Sequence, residues 1–255
     1  MNIVAFETSS ETISVAIARD GEVVARAIAD AGQRSGELAL PTMHDLLAQL
    51  GLDVKALDLV VFGQGPGSFT GVRVACGLAQ GLAFGLGKRV IGLPSTLALA
   101  EAVGVDATLP ILTAIDARMG EVYLAAYRAD AAQPSGFAEL IAPCLAKPDA
   151  LAGLLDGDCD WQGVGSAFRV PALADALMLG GQICPPDDNA PAFPHATHLL
   201  GLAMRMIARA GLSVTIAPHE AAPLYVRNNV ALTIAERRVA QAAKLANAAP
   251  SKAAA

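Results

Sequence analysis

The chain has 255 residues, of which 54% are hydrophobic, and a formal net charge of −6. A chain of this length and composition can bury one large core or two of about 100 to 130 residues each, and we expect two small domains. The negative charge argues against a protein that grips a nucleic-acid backbone by itself, because phosphate contacts need clustered Lys and Arg. Any contact with nucleic acid would then need a basic partner.

The sequence predicts a cytoplasmic protein without membrane contact. Residues 1–20 lack the pattern of a signal peptide, because Glu7 and Glu11 interrupt them. The longest apolar stretch without a charge, Val74–Gly87, is shorter than the about 20 residues that a bilayer crossing needs. The cysteines are widely spaced, form no Cys-x-x-Cys pair and are expected to be reduced: Cys76, Cys144, Cys159 and Cys184.

The first hundred residues carry one complete α/β pattern. Apolar residues alternate with period two around an Asp20-Gly21 turn, which predicts a three-strand meander. The predicted elements that follow are a helix over about Gly36–Leu50, a strand Leu57–Gly63, a helix over about Phe69–Leu86, a strand Arg89–Leu93 and a helix from Ser95. This order, βββαβαβα, resembles the ribonuclease-H-like unit that is duplicated in the actin-like ATPases.

The second half repeats the beginning of this pattern. Strands at Ile111–Asp116 and Val122–Tyr127 precede an Ala129-Asp130 turn, and Asp116 stands where Glu7 stands. A helix near Pro148–Leu155, a strand Trp161–Val164 and a helix near Ala167–Leu179 continue the order. We therefore expect an α/β fold of two duplicated ribonuclease-H-like (actin-like ATPase) domains, each with a mixed five-stranded sheet flanked by helices.

The expected domain boundaries are residues 1–103 and 104–230. A last long helix over about Thr197–Ala210 could pack back on the first domain. Residues 231–255 are expected to be a tail, partly helical or disordered.

A glycine-rich turn is the least ordinary feature of the chain. Between Gly63 and Arg73 it joins a predicted strand to a predicted helix, and Ser68 or Thr70 can cap that helix. Glycines allow close backbone approach, and the free N–H groups of a helix start favour an anion or an acidic partner. The candidate loop residues are Gly65, Pro66, Gly67, Ser68, Phe69, Thr70, Gly71 and Arg73.

The helix after this turn has two ridges with almost no side chains. Glycines stand at residues 77, 81 and 85, and alanines at 75, 79 and 83. Such ridges predict close packing against another helix or a second chain. The alternative is an ordinary core helix of a single domain.

The chain looks poor in catalytic motifs. The turn Glu7-Thr8-Ser9-Ser10 matches the place where actin-like ATPases orient a metal-bound water, but a carboxylate and hydroxyls in a β-turn are also common for turn chemistry alone, which is the interpretation we favour. His195 and His198 could share a helix face and bind a metal if a carboxylate joined them; otherwise they are surface or capping residues. No Ser-His-Asp, Cys-His or Walker-type pattern is present, so we expect no catalytic residue and no metal site.

Four motifs carry a family resemblance. These motifs, Gly65–Arg73, Ala79–Ala83, Ile115–Tyr123 and Pro223–Asn228, are similar to those of the TsaB family, formerly called YeaZ, over residues 1 to about 230. That family is the paralogue of TsaD, which transfers a threonylcarbamoyl group to N6 of the adenosine beside the anticodon of certain tRNAs. The resemblance implies a non-catalytic dimerisation subunit that binds and activates TsaD.

The resemblance separates this chain from TsaD itself. TsaD-type chains hold a catalytic metal with a His-x-x-x-His pair, and the matching positions here are Ser95 and Leu99. Leu has no donor atom and Ser is a poor ligand for zinc or iron. The resemblance implies no intrinsic cofactor, with ATP or ADP bound only at a complex with TsaD and the TsaE ATPase. It further implies a homodimer when the chain is alone and tRNA contact only through the complex.

Family likeness also implies which surfaces matter. The helix before the glycine-rich turn and the helix after it would pack against the equivalent pair of a partner. The residues expected at this interface are Leu40, Met43, Leu46, Leu47, Ala75, Gly77, Leu78, Ala79, Gly81 and Leu82. A cleft between the halves, near any nucleotide, would be lined by Glu7, Thr8, Ser9, Asp116 and Arg118. Glu7 replaces the Asp usual in relatives, which weakens a nucleotide role for its turn.

Two other functions remain open at this point. The duplicated fold is also that of ATP-dependent phosphotransferases of the sugar-kinase or acetate-kinase kind, which would bind ATP as isolated chains. An M22-type metallopeptidase would carry stoichiometric metal, which the missing histidines disfavour.

Overall fold

The computed structural model describes residues 1–30, 34–148, 160–178, 182–187 and 189–227. Within them the secondary structure follows an α/β order in which strands and helices alternate after an initial meander. The elements are β1 (Asn2–Glu7), β2 (Thr12–Arg19), β3 (Glu22–Asp30), α1 (Ser35–Gln49), β4 (Leu59–Gly65), α2 (Phe69–Leu86), β5 (Arg89–Pro94), α3 (Ser95–Val103), β6 (Ile111–Asp116), β7 (Val122–Ala129), β8 (Phe137–Ala146), β9 (Trp161–Val164), α4 (Pro171–Met178), β10 (Ile183–Cys184) and α5 (Ala196–Ala210).

The strands form two sheets with the same topology. The first has the order β3-β2-β1-β4-β5 and the second β8-β7-β6-β9-β10. In each sheet the first strand of the unit pairs antiparallel with the second and parallel with the fourth. This confirms the predicted class: two duplicated ribonuclease-H-like units, each with a mixed five-stranded sheet.

Helices cover both faces of the first sheet, which explains its apolar strands. Along β1, Ile3 and Ala5 face a core that also contains α3 and α5. The alternate residues Val4 and Phe6 face a second core with α1 and α2. Because side chains alternate across a strand, two buried faces require the nearly continuous apolar sequence seen here.

The molecule is layered. α1 and α2 lie outside the first sheet, α3 and α5 lie between the two sheets, and α4 covers the outer face of the second. α5 follows the second sheet in the chain and yet packs on β1, β2 and β4 of the first. The division of the chain at residues 103 and 104 stays a prediction.

Several predicted boundaries are corrected. The strand expected at Leu57–Gly63 runs over Leu59–Gly65, because a 3₁₀ turn at Val54–Ala56 precedes it. The helix expected near Ala167–Leu179 is divided into a 3₁₀ turn, Ser166–Arg169, and α4, which begins at Pro171, where proline's fixed φ suits a first turn. β8 and β10 were not predicted, whereas α2 is confirmed at both ends. The helix expected near 148–155 and the tail 231–255 lie largely or wholly outside the described residues.

α2 is long and apolar enough, by length and composition alone, to cross a membrane. Its 18 residues have a mean hydropathy of 1.3, and 33% of that window is buried inside the molecule. Ala75, Cys76, Ala79 and Ala83 form its inner face against the sheet. A core helix of a globular protein meets the same criteria, so the composition of α2 is weak support for a membrane span.

One ion pair fastens α5 between the sheets and gives a stability prediction. Arg205 donates to Glu101 Oε1 at 2.5 Å and Oε2 at 2.7 Å, and to Ser135 O at 2.7 Å. The two side chains are only 21% and 11% exposed. We expect Arg205→Met to lower the free energy of unfolding by about 2–4 kcal/mol, because it leaves Glu101 unpaired in a largely buried place. Urea denaturation measures this change.

The matched control is Arg209→Met, on the same helix. Arg209 is exposed, and among the described residues it donates only to the loop carbonyls of Ala131 and Gln133. Its loss should cost about 1 kcal/mol or less. Equal effects of the two substitutions would contradict the role given to the Glu101 pair.

Candidate functional site

A buried carboxylate ends the first strand. Glu7 is completely buried, and its Oε1 accepts a hydrogen bond from Ser9 N at 2.7 Å. Its Oε2 accepts from Ser95 Oγ at 2.7 Å, and that hydroxyl in turn accepts from Gly65 N at 3.2 Å. Glu7 therefore joins three segments: the turn after β1, the start of α3 and the glycine-rich loop.

Burial raises the pKa of the Glu7 carboxyl above its ordinary value of 4.5, and the hydrogen bonds from Ser9 and Ser95 oppose this shift. Across the described residues no Lys, Arg or His forms an ion pair with it. Only hydrogen bonds hold the charged form, which makes its burial costly.

The glycine-rich loop lies directly on the turn after β1. A Cβ at Gly63 would collide with Glu7 Oε2, and one at Gly71 would collide with Thr8 O. Hydrogen bonds of 2.7 Å from Ser68 N to Ser9 O and from Thr8 Oγ1 to Gly71 O hold the two segments together. The glycines thus serve close backbone packing, and the chain itself fills the space between loop and turn.

The start of α2 is capped from within. Ser68 is the N-cap, and its Oγ accepts from Gly71 N at 3.4 Å, while Thr70 is exposed. Of the two predicted caps, Ser68 is the one the structure uses.

The cleft between the two halves is not lined by all of the residues expected there. Glu7, Thr8 and Ser9 are 0%, 0% and 3% exposed, so their predicted place in the cleft lining is wrong. The carboxylate at the bottom of the turn faces the glycine loop instead. A cavity of about 310 Å³ is lined by Ser10, Glu11, Ile115, Asp116, Arg118, Ser166, Arg169, Val170, Ala192 and Phe193.

Asp116 and Arg118 do lie at this cavity, as an ion pair. Asp116 Oδ1 accepts from Arg118 N at 2.7 Å, and the guanidinium donates to Asp116 Oδ2 at 3.2 Å and to Glu11. Ser166 Oγ accepts from Asp116 N at 3.0 Å. The guanidinium of Arg118 is therefore paired with two carboxylates, those of Asp116 and Glu11, which reduces its attraction for an added anion.

The two histidines stack rather than form a ligand set. The ring centroids of His195 and His198 are 5.5 Å apart and nearly parallel. Burial lowers the pKa of His198 to about 4, with the neighbouring His195 adding to the effect, and burial also lowers the pKa of His195. Among the residues that the structure describes, no three His, Cys, Asp or Glu side chains lie together as a metal site would require.

The positions that match the histidines of TsaD-type chains have structural roles here. Ser95 holds Glu7, as described above, and Leu99 is completely buried in the core between the sheets. Their side chains offer one weak donor between them, which does not suit a catalytic zinc or iron ion.

Half of the predicted interface residues belong to the core. Their side chains pack with the first sheet and are at most 4% exposed, so the prediction that they face a partner is corrected: Met43, Leu46, Leu47, Ala75 and Ala79. The other half remains accessible on the outer side of α1 and α2: Leu40, Gly77, Leu78, Gly81 and Leu82. We call this outer side the α1–α2 face.

The glycines of α2 form an open ridge on that face. A Cβ at residue 77, 81 or 85 would meet no atom within 4 Å. Phe84 beside them is 81% exposed, and Leu40 on α1 is 38% exposed. No other element of the described structure therefore packs on the ridge, and this side of α2 is not that of an ordinary core helix.

A C-terminal strap, residues 221–227, was missed as a structural element although its sequence was noted. Gln64 O accepts from Leu224 N at 2.8 Å, and Gln80 of α2 donates to Ala221 O at 2.9 Å. At its far end Arg227 donates to Ala117 O at 3.0 Å and to Glu121 at 2.8 Å. The strap joins α2 to the β6–β7 turn through contacts that span 106 to 152 residues of sequence, which local patterns do not encode.

Two glycines of α2 should respond oppositely to alanine. Gly71→Ala would place a methyl group against Thr8 O, and we expect the free energy of unfolding to fall by about 2–3 kcal/mol or more. Gly85→Ala meets open space and should raise it by up to about 1 kcal/mol through helix propensity. Thermal and urea unfolding test both signs, and a loss at residue 85 would mean that its surroundings are not open.

The buried carboxylate predicts a pH dependence. A carboxyl group with a raised folded-state pKa favours folding when protonated, and this contribution is lost as the pH rises from 4.5 through the folded-state pKa. Glu7→Gln removes the titration, so its stability relative to wild type should increase with pH. Urea midpoints across the acid to mildly alkaline range test this, and a difference that is constant with pH would refute it.

The chain is similar to known proteins over most of its length. The family model described as "TsaD: tRNA N6-adenosine threonylcarbamoyltransferase" matches residues 28–252. The tRNA threonylcarbamoyladenosine biosynthesis protein TsaB of Escherichia coli K12 is 34% identical over 91% of this chain and 96% of its own length. The protein of the same name from Haemophilus influenzae is 33% identical over 90% and 95%.

Solved structures give the same result. The crystal structure of an uncharacterized protein with similarity to peptidase YEAZ from Pseudomonas aeruginosa superimposes with a TM-score of 0.72 at 30% identity, over 89% of this chain and 99% of that one. A structure of YeaZ from the same organism gives a TM-score of 0.71 at 30% identity over 88% and 99%. By sequence over nearly its whole length and by fold, this chain belongs to the TsaB (YeaZ) family of tRNA threonylcarbamoyladenosine biosynthesis proteins.

Proposed function

We propose that this chain is a non-catalytic platform subunit that binds a TsaD protein through the α1–α2 face and activates it for threonylcarbamoyl transfer to tRNA. The observation that carries the proposal is the open glycine ridge at residues 77, 81 and 85, where a methyl group in place of the glycine hydrogen would meet no other element of the described structure within 4 Å. Apolar side chains at Leu40 and Phe84 flank it.

Energetics favour a partner on this ridge. Each glycine inside a helix costs roughly 0.5–1 kcal/mol relative to alanine. Among the described residues nothing offsets that cost at the three positions, because no other element there touches the ridge. Glycines at spacing i, i+4, i+8 let a second helix approach closely with its ridges in the grooves of the first, which is the commonest helix packing class.

The chemistry is assigned to the partner. Ser95 and Leu99 replace the metal-binding histidines, and the Glu7 turn is filled by the glycine loop. The proposal therefore gives this chain no reaction of its own and no intrinsic cofactor. It places any ATP or ADP at the complex with TsaD and the TsaE ATPase, has tRNA contacted only through that complex in the cytoplasm, and expects a homodimer when the chain is alone.

Gly81→Leu tests the proposal. The side chain enters open space in the isolated subunit, so the fold should survive, but it blocks the close approach of a helix. We expect binding to TsaD, measured by calorimetry and light scattering, to weaken by at least about 10-fold, and tRNA modification by the mixture to fall with it.

The control is Ala208→Leu, which places the same side chain at an exposed position of α5 away from the α1–α2 face. It should leave complex and activity unchanged. Gly81→Leu protein that folds, binds TsaD and supports modification at wild-type levels would refute the docking face. Modification by this chain without TsaD would refute the non-catalytic role, and magnesium-dependent ATP binding by the isolated chain would favour a phosphotransferase.

A further inference from the structure

We propose that Arg73 is an anchor of the α1–α2 face, and that the docking protein supplies an Asp or Glu carboxylate that pairs with its guanidinium. This inference rests on the proposed function, since it takes the docking protein to be TsaD. It concerns a residue whose role neither the fold nor the family likeness assigns.

The Arg73 side chain is held in place by two aromatic rings. Its guanidinium carbon lies 3.3 Å from the centre of the Phe69 ring and 5.3 Å from that of Tyr225. Its Nε donates a 2.7 Å hydrogen bond to Tyr225 Oη. A guanidinium fixed by stacking and one hydrogen bond has already lost much of its side-chain freedom, so a ligand for it would bind with less entropic cost.

The two terminal nitrogens of this guanidinium remain available. Arg73 is exposed, and within the described parts of the chain no carboxylate or carbonyl accepts a hydrogen bond from them. It is also the one charged residue in the α2 sequence Phe69–Leu86. Planar guanidinium groups pair best with carboxylates, through two parallel N–H···O bonds.

Its position makes contact with a docked helix hard to avoid. Residues 69, 73, 77, 81 and 85 are spaced by four and therefore follow one ridge of α2. Arg73 stands one turn, about 6 Å, before the first glycine of the open ridge. A partner helix lying on that ridge would remove water from the Arg73 cation, and a buried cation without a counter-charge is costly.

The surrounding composition fits an anchor. Phe69 and Tyr225 are 47% and 51% exposed beside the arginine. Aromatic residues and arginine are enriched among the side chains that contribute most to protein association. An acidic side chain on the partner satisfies the cation, and its apolar neighbours can cover the two rings.

The alternative is that Arg73 only holds the strap through Tyr225. Tyr225→Phe separates the two roles, because it removes the hydrogen bond from Nε but keeps the stacked ring and the guanidinium. If the carboxylate pair is the main contribution, Tyr225→Phe should weaken TsaD binding by less than about 5-fold, whereas Arg73→Gln should weaken it by about 10-fold or more.

The salt dependence of the affinity for TsaD distinguishes a charge pair from a packing role, because loss of apolar packing would not change that dependence. The affinity of this chain for the TsaD protein of the same organism is measured by calorimetry at about 50 and about 300 mM salt, where screening of a charge pair differs strongly. Wild type should bind more weakly at high salt, and Arg73→Gln should show a smaller dependence. Arg128→Gln, which removes an exposed arginine on β7, is the control and should match wild type in affinity and salt response.

Exchanging the charges on the two proteins identifies the carboxylate of the partner that pairs with Arg73. Arg73→Glu should abolish most binding, and one Asp→Lys or Glu→Lys variant on the docking helices of TsaD should restore at least about 10-fold of it. Arg73→Gln binding like wild type, weakened binding with an unchanged salt response, or no restoring acidic position each overturns the proposal. If Arg73→Glu dissociates only the homodimer, the acceptor belongs to a second copy and the proposal is also wrong.

Gly81→Leu is measured in parallel so that the two failures can be told apart. If Gly81→Leu blocks the complex and Arg73→Gln does not, the platform function stands and the anchor fails. If neither changes binding, the docking face itself is wrong.

Discussion

The glycine-rich loop can lie where it does only because the turn after β1 is packed against it, and the buried Glu7 carboxylate holds this contact. That carboxylate accepts from the turn through Ser9 and from α3 through Ser95, whose hydroxyl reaches the loop at Gly65. Desolvation opposes the charged form. The chain accepts this cost at the joint between the turn after β1 and the glycine-rich loop.

This joint determines what α2 can present to other proteins. The loop fixes the first turn of α2 at Ser68, and small residues at Ala75 and Ala79 let the inner side lie close to the sheet. The glycines fall on the opposite side, where no other element of the described structure approaches within 4 Å of an added Cβ. One helix therefore has two rows of small residues: alanines that pack on the sheet, and glycines that the described residues leave uncovered.

The sequence predicted the fold class well because the strong periodic signals were local. The β1–β2 alternation and the bounds of α2 come from side-chain spacing alone, and the duplication followed from the similarity of the two halves. Half of the predicted interface residues lie on the wrong side of their helices. Helical spacing separates two ridges of small or apolar residues but cannot say which of them faces the sheet. Met43 and Ala79, predicted at the interface, therefore lie in the core. The prediction for Glu7 was wrong for a similar reason. The local sequence is the same whether this carboxylate lies at the edge of a cleft or is buried under the glycine-rich loop.

The strap shows why the remaining contacts could not be predicted and why they matter. Its residues touch α2 at one end, where Tyr225 accepts from Arg73, and the β6–β7 turn at the other, where Arg227 donates to Glu121. Only Val226 separates these two anchors along the chain. Tyr225 and Arg227 are therefore bound to different parts of the molecule although they lie two residues apart in the chain. The strap thus links the α1–α2 face to the second half of the molecule by hydrogen bonds, although it belongs to neither sheet.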